Sequence, residues 1–108
     1  VKLTAIVEKK LTPYVIISDQ VVPLVWDRRI EAIVGKVSLE VNQDLLIGNI
    51  ELDENIVDVE TIVRADKKLY PSVVLTTSID DKTAMKLKAI SISPTPNKDK
   101  TIPPLKLQ

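Results

Sequence analysis

Neither cysteine nor histidine occurs in the chain. Without cysteine no disulfide framework and no thiolate metal site can form, and without histidine the commonest general base and transition-metal ligand is gone. Much catalytic chemistry is excluded before any motif is read, and no cofactor or metal is expected. Phenylalanine is also missing, and one Trp and two Tyr are the only aromatics among 108 residues. The core must then be built from Val, Ile and Leu, and β-branched side chains suit a pleated, half-buried surface better than a helix. With only two glycines, few turns can take a positive φ without strain, so Asn, Asp and Pro must supply the turn chemistry. Neither sign of charge is in excess: fifteen basic and fifteen acidic residues sum to zero, and no global field argues for nucleic acid or an anionic membrane. The longest apolar runs, such as Val21 to Trp26, are far too short to span a bilayer, and no charged-then-apolar leader is seen. A soluble, cytosolic protein is the expectation.

What is present reads as one domain, long enough to bury roughly 60 to 65% of its unfolded surface. Two stretches organise it. Leu69 to Leu75 is apolar and β-branched, Lys86 to Ser93 alternates before a Pro94-Thr95-Pro96 stop, and the polar run between them can join the two as an antiparallel pair. Upstream, Lys2 to Glu8 alternates with Leu3, Ala5 and Val7 on one face. Tyr14 to Ser18 is expected as a second strand and a hairpin partner for the first. Pro23 demotes Val21 to Trp26 to an edge strand or an extended segment, because proline lacks the N–H of a central ladder. Ile33 to Glu40 and Leu45 to Leu52, joined by Asn42-Gln43-Asp44, read as a hairpin, with Gly48 marking a bulge or a close approach.

Between Asp53 and Ala65 two periods compete. Ile56, Val59 and Val63 make a helical stripe with acidic residues near its start, while Val57, Val59, Thr61 and Val63 alternate as a strand. The start signals favour a short helix around Asn55 to Ala65. The segment 98–108 is polar and Pro-containing, and is expected as an extended arm outside the core of domain 1–97. The fold class is therefore mainly β (α+β): a single small antiparallel β-barrel or sandwich-like domain with one short helix.

Few residues offer chemistry. Ser72, after Tyr70-Pro71, can project from a strand into a groove, although an ordinary strand serine is the plainer reading; a nucleophile there needs a base, and only lysine or a carboxylate remains. Asp80-Asp81 and Asp53-Glu54 are paired carboxylates, each better read as a solvated turn or cap than as a metal or acid/base pair. Arg28-Arg29 beside Trp26 can hold a phosphate or stack on a base, against a default of surface salt bridges.

Taken together, the order of elements resembles the phage prohead maturation proteases, whose fold is shared with the herpesvirus assemblin protease and which also serve as scaffolds in capsid assembly. Trp26-Asp27-Arg28 ahead of Ile33-Val34-Gly35-Lys36-Val37 is similar to the family's segment around its catalytic histidine and the strand that follows. Leu69-Tyr70-Pro71-Ser72-Val73 resembles the nucleophile strand, with Ser72 at the serine position, and Leu87 to Asn97 the last strand with its Pro-rich stop. Arg28 stands about where the histidine is expected, and a guanidinium does not deprotonate to accept a proton from Ser72. The resemblance thus implies a fold without its protease activity: a non-enzymatic phage or prophage capsid-associated structural, scaffold-like or decoration protein, found in the virion or the host cytoplasm. Its partners would be a capsid shell protein or other copies of itself. Two alternatives stand beside it, a serine hydrolase using Ser72 with Lys67, Lys68 or Lys88 as base, and a small cellular β-barrel protein-binding module.

Overall fold

In the computed structural model, residues 2–11, 15–53, 55, 68–77 and 84–105 are described. They form a mainly β domain whose strands are β1 (Lys2–Glu8), β2 (Val15–Ile16), β3 (Val21–Trp26), β4 (Arg29–Asn42), β5 (Leu45–Leu52), β6 (Tyr70–Thr77) and β7 (Met85–Ser93). All seven belong to one sheet in the order β1-β5-β4-β3-β7, with β7 also carrying β2 and β6. The sheet curls into a half-barrel and brings β1 against β6. The helix expected around Asn55 to Ala65 and the pair Asp80-Asp81 lie outside the described residues.

The half-barrel is filled by one apolar cluster. Leu3 and Val7 of β1, Leu46, Ile50 and Leu52 of β5, Val37 and Leu39 of β4, Val22 and Leu24 of β3, and Ile90 and Ile92 of β7 all face it. These positions recur at every second residue because a pleated strand sends alternate side chains to one side. At β5 the alternation reaches Gly48, where an added Cβ would lie 2.9 Å from Val37 Cγ1 and 3.1 Å from Val7 Cγ2. The ladder is regular there, so this glycine answers crowding in the core rather than a bulge.

Three expectations are corrected. The second strand is not the hairpin partner of the first: β1 pairs antiparallel with β5, while Val15 and Ile16 pair parallel with Met85 and Lys86. Nor is β3 an edge, since it lies between β4 and, in parallel, β7. Pro23 is tolerated for a geometric reason. Leu39 N–H donates to Gln20 C=O at 2.7 Å, so hydrogen-bonded pairs on this ladder alternate from 20/39 and leave Pro23, opposite Lys36, with its ring nitrogen turned away from β4. On that far side the ladder to β7 begins only at Leu24, and no bond is missed. Lastly, residues 98–105 do not stand outside the core. Ile102 and Leu105 are 2% and 9% exposed, Leu105 belongs to the core cluster, and its N–H donates to Leu69 C=O at 2.8 Å. Two apolar side chains among lysines and prolines suffice to dock the segment, because burying each is worth about 1.5 to 3 kcal/mol.

Candidate functional site

The β3–β4 hairpin turns on Asp27 and Arg28, closed by the pair Trp26 and Arg29. Both central residues have left-handed φ, 50° and 62°, as a type I′ turn requires. Such a turn normally takes glycine at its second place, and an arginine there is disfavoured by about 1–2 kcal/mol. Strand β7 holds the strained turn down. Asp27 N–H donates to Ile92 C=O at 2.8 Å, Arg28 N–H donates to Ser91 Oγ at 2.8 Å, and Ser93 Oγ–H donates to Asp27 Oδ1 at 2.8 Å.

The register across the sheet explains why these groups meet. Val25 pairs with Ser91 and Ser91 with Ser72, so the three form one row on the side of β3, β7 and β6 that faces away from the apolar cluster. That side is itself covered: Ser72, Ser91 and Ser93 are 7%, 0% and 5% exposed. Ser93 Oγ also accepts the Thr95 N–H at 3.1 Å, which bends the chain back after β7. Asn97 then spans two segments, donating from Nδ2 to Pro71 C=O at 2.7 Å and accepting the Asp99 N–H at Oδ1 at 2.9 Å. Pro71 suits this place, since its missing N–H falls on the side of β6 away from β7, where no strand ladder needs it.

No protein-family model, curated protein or solved structure matches the chain.

The two side chains singled out in the sequence, Ser72 and Arg28, line one groove of ≈ 780 Å³ between the β1 end, β6 and residues 97–101. Beside it, a smaller pocket of ≈ 290 Å³ is lined by Asp27, Arg28, Ser72, Ser93, Asn97 and Lys98 among others. Among the described residues Ser72 Oγ has no hydrogen-bond partner, and Arg28 forms no ion pair; the single ion pair there is Lys36–Glu51, at 3.9 Å on the exposed face. Trp26 is half-buried and packs against the apolar cluster. Of the lysines named as alternative bases, Lys68 and Lys88 are exposed, and Lys67 lies outside the described residues. Asp53 Oδ1 accepts the Asn55 N–H at 2.9 Å, a local turn bond, while Glu54 lies outside the described residues.

At the far rim Asp99 Oδ1 accepts both the Thr101 hydroxyl, at 2.6 Å, and the Thr101 N–H, at 3.0 Å. These bonds, aided by the charges of Lys9 and Lys10, hold its carboxyl below the usual carboxylate range. Lys9 Nζ donates to Thr101 C=O at 3.1 Å and ties the end of β1 to this segment. Sequence reasoning missed Ser91, Ser93, Asn97 and Lys98. The signal available was Ser91-x-Ser93, two hydroxyls on one face of a strand whose other face is apolar.

Proposed function

We propose that this is a non-enzymatic structural or scaffold-like module of phage or prophage capsid assembly, working by binding a shell protein or further copies of itself. One observation carries the reading: Arg28 and Ser72, the positions at which the prohead-protease resemblance placed an altered histidine and the serine, line a single groove. A serine there needs a partner that can take its proton as the bond to a carbonyl forms, and a guanidinium stays protonated. The motif order of the sequence supports the capsid assignment, and the juxtaposition supports loss of the reaction.

A fluorophosphonate probe tests the chemistry. Intact protein incubated with the probe should show no added mass on Ser72, and Ser72→Ala should fold like the parent. Stoichiometric labelling would overturn the reading in favour of a serine hydrolase. Co-purification with capsids tests the assembly half separately, and a protein that stays behind when capsids are pelleted would remove it. The lysine-base alternative has less support, because a lysine serves as base only after burial strips its charge of hydration, and Lys68 and Lys88 are exposed.

A further inference from the structure

The smaller pocket combines four features that an inert turn does not need. Its first wall is Arg28 itself, held at a φ of 62° by bonds from β7 to the turn's two successive N–H groups. Strain that the surroundings enforce is a pointer to a site, and here it fixes where an arginine side chain leaves the backbone. The second feature is charge. Arg28 and Lys98 line the pocket with one carboxylate, Asp27, and that carboxylate already accepts the Ser93 hydroxyl. The third is a spare donor, since Ser72 lines the same pocket and its hydroxyl is bonded to no other described residue. The fourth is anchorage. Asn97, fastened to Pro71 and Asp99, fixes the backbone from which Lys98 rises.

From this we infer that the pocket binds a single oxyanion group, a phosphoryl or a carboxylate. The planar fork of Arg28 would bond two of its oxygens, Lys98 would add a second positive charge, and the Ser72 hydroxyl would donate to the third oxygen of a phosphoryl or to a second lone pair of a carboxylate oxygen. The inference rests on the pocket alone and holds whether or not the chain belongs to a capsid.

The test is a titration of ¹⁵N-labelled protein with inorganic phosphate and, in parallel, with acetate, chloride being adjusted to hold ionic strength constant. Saturable shifts centred on the amides of Arg28, Ser72 and Lys98 are expected. Saturation by phosphate alone would assign a phosphoryl ligand, and saturation by both would admit a carboxylate. Arg28→Gly relaxes the turn while removing the guanidinium, and should weaken binding by about tenfold or more, the effect expected for one lost charge-assisted pair. Arg28→Gln serves if the glycine variant does not fold. Lys36→Gln, on the opposite wall, should bind as the parent does. Shifts that never saturate, that spread evenly over the exposed lysines, or that survive both Arg28 substitutions would overturn the site.

Discussion

The two walls of the half-barrel obey different rules. In β1, β5 and β4 one face is apolar and the other is wet, with Thr4, Lys36, Glu40, Asn49 and Glu51 exposed and bridged only by weak surface contacts such as Thr4 to Asn49 at 3.1 Å. Where β3, β7 and β6 meet beside the turn both faces are buried, the inner at Leu24, Ile90 and Ile92, the outer along the row Val25, Ser91 and Ser72. The first wall supplies stability by simple alternation. On the second, small hydroxyls are buried where apolar residues would pack better, and that departure coincides with the strained turn and the polar pocket. A difference of this kind is what separates a structural wall from a site-bearing one.

Mutations can break or sharpen this contrast. The largest effect should come from the doubly covered wall: Ile90→Ala, at a fully buried position, should destabilise by about 2–5 kcal/mol, whereas exposed Asn49→Ala should stay within about 0.5 kcal/mol. Urea unfolding of both reads the difference, and equal losses would dissolve the distinction. Next in size are the glycines of the regular wall. A Cβ at Gly35 would run into the backbone carbonyl oxygen of Glu51, which cannot turn aside, but at Gly48 it meets side chains, those of Val37, Val7 and Ile50. Gly35→Ala should therefore destabilise by about 1–3 kcal/mol and Gly48→Ala by less, as thermal melts would register.

The serine clamp gives a pair of opposite sign. Ser91→Ala leaves the Arg28 N–H without its acceptor and should destabilise by about 1–3 kcal/mol. Arg28→Gly should stabilise by about 0.5–1 kcal/mol, since glycine adopts the left-handed turn without steric penalty. A destabilised Arg28→Gly would mean that the side chain, not the backbone, anchors the hairpin. The smallest effect concerns pH. The Asp99 carboxyl is depressed below its unfolded value, so its contribution is present above about pH 4 and is lost as pH falls through the lower, folded pKa. Thr101→Val, which removes one of the two bonds, should raise that pKa toward the ordinary range, observable by carbon NMR of the Asp99 carboxyl.

The regular wall was legible in the sequence because alternation there has one cause, a single dry face. Lys2 to Glu8 and the hairpin from Ile33 to Leu52 both follow from it, and on the other wall the β6–β7 pair around Ser72 was read from its β-branched residues. The other wall was read less well. Pro23 argued for an edge because sequence shows a missing donor but not the direction in which it points. The partner of β3 lies far along the chain, and no local pattern announces a parallel ladder. Tethering of residues 98–105 was hidden for a related reason, since Ile102 and Leu105 are isolated among polar neighbours and dock through contacts with distant Leu69. Of the pocket, Arg28 and Ser72 were visible as residue types, but the hydroxyls that clamp the turn looked like ordinary strand serines.

The placement of β7 has a bearing on how the protein is made. It is the last of the described strands in chain order and yet it joins β2, β3 and β6, so while synthesis proceeds β3 can acquire β4 on one side and must wait for β7 on the other. A strand with an unsatisfied edge is a template for pairing with another molecule. Pro23 lies on that waiting edge, and its ring offers no N–H to an intruder. Nascent chains halted before Met85 should accordingly clump more when Pro23 is replaced by Val, which light scattering of the released fragments would register. The proline that looked like a mark of the sheet's border guards a position that is a border only until β7 arrives.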